Sequence, residues 1–410
     1  MEKIKFIHSA DLHLDSPFKG LRQLPQKLYK RIMESTFQSF KRIIDKAISS
    51  KVDFVLISGD LFDEEDRSIK AQARLREQFQ RLNEIGIPAF VIHGNHDFLG
   101  SRLLEMEMPE NVHIFGDRVE KMTYSTKNGQ MVHLYGFSYG KRHIVENQLQ
   151  HYPIAASNDD YHIGLLHGSE GNSKTSHEKY APFTIAEMKT KQYDYWALGH
   201  IHTRSELSSI PPIVYPGNIQ GRHSKETGPK GCYEVHLTKN ESELNFITTN
   251  EIRFEEVSIS LKNVHHLSEV YDLIKETIES YRKFGGIFLE MKLQDADHLP
   301  QAIHDRINNG EMVQALQDGE ELHQDFVWIH QLKIENKEIK INSDDQQSFI
   351  HTYLQIFDEW IDEDWERFLS DLYQHPQAFR YLETLSDEEK EGLLNDVKSM
   401  TNSILLGESR

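Results

Sequence analysis

Of 410 residues only one, Cys232, is a cysteine, so no disulfide within the chain can form. That usage fits a reducing compartment, and the expected location is cytoplasmic. A lone thiol is far more often a small buried apolar group than a nucleophile. No apolar run approaches the length of a membrane span. The chain goes straight into Lys3-Ile4-Lys5-Phe6-Ile7-His8, which reads as a strand rather than a secretory leader. Positive charge is also scarce: 46 Lys and Arg face 65 Asp and Glu, a net charge of −19. Simple electrostatic adhesion to nucleic acid is thereby disfavoured. The deficit is uneven, because Asp344 to Arg410 holds 16 acidic and 5 basic residues, more than half of the net negative charge. Internal repeats and long low-complexity tracts are missing too.

What is there is a set of short motifs at strand ends. Val52 to Ile57 is apolar and β-branched, the pattern of a buried strand, and it runs into Gly59-Asp60-Leu61-Phe62-Asp63. In open α/β sheets, sites gather at such C-terminal tips. Four other stretches repeat the signature. Lys3 to Ser9 ends in Asp11-Leu12-His13, and Ala89 to Ile92 ends in His93-Gly94-Asn95-His96-Asp97. Ile163 to Leu166 ends in His167-Gly168, and Tyr193 to Leu198 ends in Gly199-His200-Ile201-His202. A turn Asp or a surface His is the ordinary reading of any one of these. Five together, each supplying oxygen or imidazole, point to one site.

Between these runs the spacing of Ile32, Phe37, Phe40, Ile43, Ile44 and Ala47 predicts a helix over Leu28–Ile48, begun near Pro25. A second, polar helix is expected from Ser68 to Ile85. Shorter β runs follow from Asn111, and a polar loop spans Ser169 to Tyr180. The first domain is expected to end near residue 250. Residues 251–343 read as a small α/β domain, with strands at Phe254–Leu261, Ile287–Leu293 and Phe326–Ile334 and a helix marked by Leu267, Val270, Ile274 and Ile278. Residues 344–410 read as an acidic helical tail rich in aromatics, from Tyr353 to Tyr373, with a capping-box pattern at Ser386-Asp387-Glu388-Glu389.

The candidate ligands are Asp11, His13, Asp60, Asn95, His167, His200 and His202. Carboxylate, imidazole and amide oxygen suit manganese, iron or zinc better than calcium. With no cysteine ligand a closed structural zinc site is disfavoured. Two divalent ions sharing Asp60, taken as Mn2+, would lower the pKa of a bridging water and clamp both oxygens of an in-line displacement. That chemistry breaks phosphate esters.

These motifs resemble the calcineurin-like metallophosphoesterase superfamily. His8-Ser9-Ala10-Asp11-Leu12-His13-Leu14 and Gly59-Asp60-Leu61-Phe62-Asp63 are similar to its DNA repair exonuclease branch, which includes the SbcD nuclease subunits. The resemblance covers about the first 250 residues. It implies an α/β fold, a four-layer α/β/β/α sandwich, followed by a small α/β cap domain and a C-terminal helical segment. It assigns Asp11, His13, Asp60 and His202 to one metal, and Asp60, Asn95, His167 and His200 to the other. His96 would assist the leaving oxygen, with Asp63 orienting it. The tail would dock an SbcC-type coiled-coil ATPase, and helices of the first domain would form a homodimer.

The expected activity is therefore metal-dependent DNA phosphodiester hydrolysis, as a phosphodiesterase or exonuclease, by attack of a metal-bridged hydroxide. DNA would pass along a groove served by some of Lys27, Lys30, Arg67, Lys70, Arg204 and Arg222. Two rivals are a phosphoesterase for nucleotides or other small phosphodiesters, and a scaffold subunit that gates a partner ATPase.

Overall fold

In chain order, strand β1 (Ile4–Ser9) leads into helices α1 (Gln26–Met33) and α2 (Ser35–Ser50). Next come β2 (Phe54–Ser58), α3 (Ile69–Asn83), β3 (Ala89–Ile92) and β4 (Val112–Ile114). They are followed by β5 (Glu120–Ser125), β6 (Met131–Gly136), β7 (Tyr161–His167), α4 (Ile185–Thr190) and β8 (Tyr195–Gly199). Then β9 (Ser205–Ser209), β10 (Pro212–Tyr215), β11 (Gly231–Leu237) and β12 (Ser242–Thr248) complete two large sheets. The computed structural model describes residues 3–18, 20–63, 67–99, 106–156, 160–171 and 180–335, with part of 360–397.

The first sheet has the order β12-β11-β1-β2-β3-β4 and the second β5-β6-β7-β8-β10-β9. The strands β1 to β4 are parallel, as are β6, β7, β8 and β10, so their C-terminal tips lie on one edge of each sheet. Burial on both faces explains why the central strands read as unbroken apolar runs. In β2, Phe54 and Leu56 face the second sheet, packing with Val132, Ile163, Leu165 and Ala197. Val55 and Ile57 face the other way, onto Phe40, Ile43 and Ile44 of α2 and Leu75 and Phe79 of α3. Beyond the second sheet Trp196, Leu198 and Tyr135 meet Met188 of α4 and a layer of aromatic loops. The architecture is thus the expected α/β/β/α sandwich. Cys232 lies inside it, and burial pushes its thiol up to about 12, so it is no nucleophile at neutral pH.

A third sheet, β13-β14-β15, is built from β13 (Ile252–Ser260), β14 (Gly286–Gln294) and β15 (Val327–Ile334), with α5 (Leu267–Tyr281), α6 (Gln301–Asn308) and α7 (Glu311–Gln317) between its strands. By contacts, Met1–Ile259, Val264–Leu293 and Leu299–Lys333 form one unit, and Ser260–Asn263, Gln294–His298 and Ile334–Arg410 a second. The first unit joins sandwich and third sheet because Phe18, Leu28 and Ile32 pack on Phe254, Phe288, Phe326 and Trp328. The same contact corrects the expected single helix over Leu28–Ile48. The chain breaks at Glu34 (φ −93°, ψ −7°), α1 facing the third sheet's core and α2 that of the first sheet. Two cores in different directions cannot be served by one straight helix.

In the tail, α8 (Asp362–Tyr373) carries Trp365, whose ring meets that of Trp360 at 5.2 Å, and an exposed Phe368. The expected residues Tyr353, Leu354, Ile356 and Phe357, the Ser386–Glu389 capping box and residues 172–179 of the polar loop lie outside the described residues. Among the described residues no helix is long and apolar enough to cross a membrane.

Candidate metal centre

The first sheet brings its tips together by continuing strand pairing into the loops. The N–H groups of Asp11, His13 and Leu14 donate to the carbonyls of Gly59, Asp60 and Leu61 at 3.1, 3.0 and 2.9 Å. This zipper sets the Asp11–His13 loop beside Asp60. It also puts Asp11 (φ 51°), His13 (φ 42°) and Asp60 (φ 51°) in the left-handed region, an uncommon conformation for side-chain-bearing residues and one that gathers at functional sites. From β3, His96 N–H donates to Asp60 Oδ1 at 3.0 Å. Gly94 must be glycine, because a Cβ there would lie 2.2 Å from Asp60 Oδ1 and 2.7 Å from His167 Nε2.

The second sheet closes from above. His167, at the end of β7, lies within hydrogen-bond range of the Ser58 carbonyl across the sandwich, 2.9 Å from its Nδ1. That contact assigns the proton to Nδ1 and leaves Nε2 facing Asn95 Oδ1 at 3.0 Å and Asp60 Oδ2 at 3.4 Å. His200 Nδ1 is 3.2 Å from the same Asn95 oxygen, and the His200 N–H donates to Asp11 Oδ1 at 3.0 Å. His202 turns its Nε2 to His13 Nε2 at 3.1 Å. Beneath these, His8 ties the sheets together by contacts to the Tyr195 hydroxyl (2.9 Å) and the Leu198 carbonyl (3.1 Å).

All seven candidate ligands are brought together. Asp11, His13 and His202 form one group of converging ligand atoms, and Asp11, Asp60 and His167 another. Their donor geometry fits cations. Two imidazole nitrogens bound to one ion at about 2.0–2.1 Å and near right angles lie about 3 Å apart, as His13 and His202 do. Asp60 Oδ2, 3.4 Å from His167 Nε2 and 3.8 Å from His13 Nε2, reaches both sets.

The electrostatics agree with a site built for positive charge. Burial, aided by the Arg222 guanidinium, lowers His13 to about 3. Burial, aided by His167, lowers His200 to about 3. Both are therefore neutral, the form that binds metal. Burial also opposes charge on His167, but Asp60 and Asp11 override it and hold the imidazole at about 9. Burial pushes Asp11 up, whereas Asp60, equally buried, is held well below the usual carboxylate range by His167.

His96 and Asp63 are placed differently from the expectation that the Asp63 side chain orients His96. The His96 ring donates from Nδ1 to the backbone carbonyl of Asp63 at 2.8 Å. The Asp63 carboxylate instead lies 3.0 Å from His13 Nδ1 and pairs with Arg222. Despite burial, these partners hold it at about 2. Of the six expected phosphate-groove cations only Arg222 sits among the ligands. Arg67 lies over Phe62 and donates to the Phe98 carbonyl, Lys70 pairs with Glu34, and Arg204 lies over Phe246.

Two carboxylates had no assigned role in the sequence. Glu226 Oε1 accepts from His202 Nδ1 at 2.6 Å, and its Oε2 accepts from Asn218 Nδ2 and the Arg222 N–H at 2.8 and 2.7 Å. It fixes the tautomer that leaves His202 Nε2 facing His13. Despite burial it stays ionised, because that bond and Arg222 hold it far below the usual range. Asp97 ties the β3 loop to the β2 loop, accepting from the N–H groups of Gly94 (2.8 Å) and Leu61 (2.9 Å) and lying 2.9 Å from His93 Nδ1.

Residues 4–204 match the family model described as calcineurin-like phosphoesterase. Over 407 residues the chain is 38% identical to the uncharacterized metallophosphoesterase YhaO of Bacillus subtilis, spanning 98% of this chain and 97% of that protein. It is 27% identical over 302 residues to the DNA double-strand break repair protein Mre11 of Methanocaldococcus jannaschii, spanning 70% of this chain and 77% of that one. To the Mre11 of Thermoplasma acidophilum it is 25% identical over 323 residues, 73% of this chain and 82% of that one.

Proposed function

We propose that this chain, which belongs to the calcineurin-like phosphoesterase family, hydrolyses DNA phosphodiesters in the manner of an SbcD-type nuclease. Membership itself carries the coarser statement, metal-dependent hydrolysis of a phosphoester. Similarity to two proteins named for DNA double-strand break repair supports the finer one. The observation that carries the reading is the reach of Asp60 Oδ2 to both ligand sets. Asp11, His13, Asp60 and His202 would hold one divalent ion, and Asp60, Asn95, His167 and His200 the other, with manganese proposed. Bound there, such ions supply charge neutralisation and an acidified water.

The chain's own residues supply the rest. The His96 Nδ1–H donates a hydrogen bond to the Asp63 backbone carbonyl, which leaves Nε2 as the nitrogen that can exchange a proton with substrate. A protonated Nε2 would hand that proton to the leaving oxygen as the P–O bond breaks. Asp63 and Arg222 neutralise each other beside His13 and keep its ring oriented. Glu226 does the same for His202.

The test is manganese-dependent hydrolysis of linear duplex DNA, single-stranded DNA and bis-p-nitrophenyl phosphate by the purified chain. We expect cleavage of DNA and ester, both reduced at least about a thousandfold in Asp60→Asn. Cleavage of the small ester alone would favour a small-phosphodiester enzyme. The proposal extends to three domains, 1–250, 251–343 as a cap and 344–410 as a docking tail for an SbcC-type ATPase. It rests there on the acidic, aromatic-rich sequence and the exposed Phe368. A chain ending at Ser343 should hydrolyse the ester and fail to co-purify with the cognate ATPase; retained co-purification would move docking elsewhere.

A further inference from the structure

The loop from Gly140 to Val145 follows β6 and belongs to no motif of the centre. Its sequence is Gly-Lys-Arg-His-Ile-Val, and Lys141, Arg142 and His143 are all exposed. The base of this loop is fastened to the loops that carry the ligands. Tyr139 N–H donates to the His93 carbonyl at 3.1 Å, and the Tyr139 hydroxyl to the His167 carbonyl at 2.9 Å. Leu99 N–H donates to the Tyr139 carbonyl at 2.8 Å. At its far end the Ile144 carbonyl accepts from Ala181 N–H at 2.6 Å, and Ile144 itself is buried. Tyr180, next to Ala181, is pinned in turn by Ser169 N–H at 2.9 Å, two residues after His167.

The loop therefore cannot drift far from the centre, and ring contacts show how near it is. The Tyr180 ring lies 4.9 Å from that of His200, and the His143 ring stacks on Tyr180 at 5.5 Å and 25°. Lys141 and Arg142 precede His143 directly. Among the described residues neither makes a hydrogen bond or an ion pair. The acidic groups nearby are Asp117, beside Gly140, and Glu146, after Val145. In a chain of net charge −19, two uncommitted cations held at the lip of a metal centre need an explanation. Arg222 and Lys230, which lie against ligand residues, are already committed, Arg222 to Asp63 and Lys230 to the His202 carbonyl, and Arg67 further out donates to the Phe98 carbonyl.

We infer that the Lys141-Arg142-His143 loop is a contact surface for the phosphate backbone of a nucleic-acid strand running to or from the metal centre. This rests on the DNA reading above and deepens it, since a polymer has phosphates beyond the scissile one and a small phosphodiester has none. Cations committed to protein partners hold the site together. Cations without partners, fixed in place by the backbone, are available to release counterions from a strand.

The test compares Lys141→Glu/Arg142→Glu, the milder Lys141→Gln/Arg142→Gln, and Lys51→Glu/Lys127→Glu as a matched charge change. Lys51 precedes β2 and Lys127 precedes β6, at the strand ends away from the tips. Kinetics are measured on a single-stranded oligonucleotide and on bis-p-nitrophenyl phosphate, across a salt series with manganese. The Glu pair should raise KM for the oligonucleotide roughly tenfold and flatten its salt dependence by about 0.7 in slope for each phosphate no longer neutralised. The Gln pair should do so in part, with hydrolysis of the small ester unchanged in both. The Lys51/Lys127 variant should match the parent chain on the oligonucleotide apart from a small general charge effect. If the chain cleaves the oligonucleotide and the lip variants leave its KM and salt slope unchanged, the loop is no contact surface, while the DNA reading stands. If the parent chain cleaves the ester and neither binds nor cleaves DNA, the DNA reading falls and this inference with it.

Discussion

The two large sheets meet at one site and bring different chemistry to it. The tips of β1, β2 and β3 supply the oxygens of Asp11, Asp60 and Asn95, with His13 and His96. The tips of β7 and β8 supply only imidazoles, His167, His200 and His202. Of the site residues just named, Asp11, His13 and Asp60 on the first side take left-handed backbone, and on the second His200 has positive φ, at 100°. The difference decides charge. His167 faces the carboxylates of the other sheet and is held at about 9, whereas His200 feels His167 as well as burial and drops to about 3. Neither sheet is a site alone. The apolar packing of Phe54, Leu56, Phe90 and Ile92 against Val132, Leu134, Ile163 and Leu165 is what makes the chemistry possible. Sheet packing and ligand geometry are one problem here.

If the sheets contribute separably, loosening one imidazole should weaken one ion and spare the other. Glu226→Gln is the sharpest such change. It keeps the volume but sets an NH2 against the N–H donors of Asn218 and Arg222, and removes the charge that holds His202. Losing a partner of this kind costs about 10- to 100-fold in metal affinity. Under the proposed two-ion assignment, calorimetric titration with manganese should show that loss at the ion assigned to His13 and His202, with the ion assigned to Asn95, His167 and His200 within a few-fold. Equal weakening of both would mean the two ions form one inseparable cluster, and no weakening of either would strip Glu226 of its positioning role.

The ligand-bearing tips were legible because each lies within a few residues of a strongly apolar strand end, so a local pattern carries a site assembled from distant segments. The layered architecture was implied by the family resemblance those motifs carry, because apolar runs mark strands but not how two sheets stack. What stayed hidden depends on partners remote in sequence. Glu226 gains its meaning only from His202, 24 residues earlier, and nothing beside it signals that role. The break at Glu34 needed the third sheet, since helical spacing runs through it unchanged. β9 and β12 are too polar to read as strands, because each is an edge strand of its sheet. The Asp63 side chain was expected on His96, yet Arg222 and His13 claim it. Spacing along one loop cannot show which of two atoms, carboxylate or backbone carbonyl, meets a neighbour.

A smaller effect sharpens the same contrast. On the second sheet, His167 is raised by the first sheet's carboxylates in spite of its burial, whereas in His200 burial outweighs them. A histidine raised from 6.5 to about 9 contributes stability that is fully present below pH 6.5 and is lost as pH rises through 9. In chelator, the chain should therefore unfold a few degrees lower at pH 9.5 than at pH 7. A divalent ion bound at the proposed site would take the place of that proton, so binding at pH 7.5 should release about one proton. Titrations in buffers of different ionisation enthalpy measure this directly. His200, already neutral at about 3, should release none. Release that persists in His167→Asn would place the proton elsewhere and remove the electrostatic distinction drawn between the two sheets.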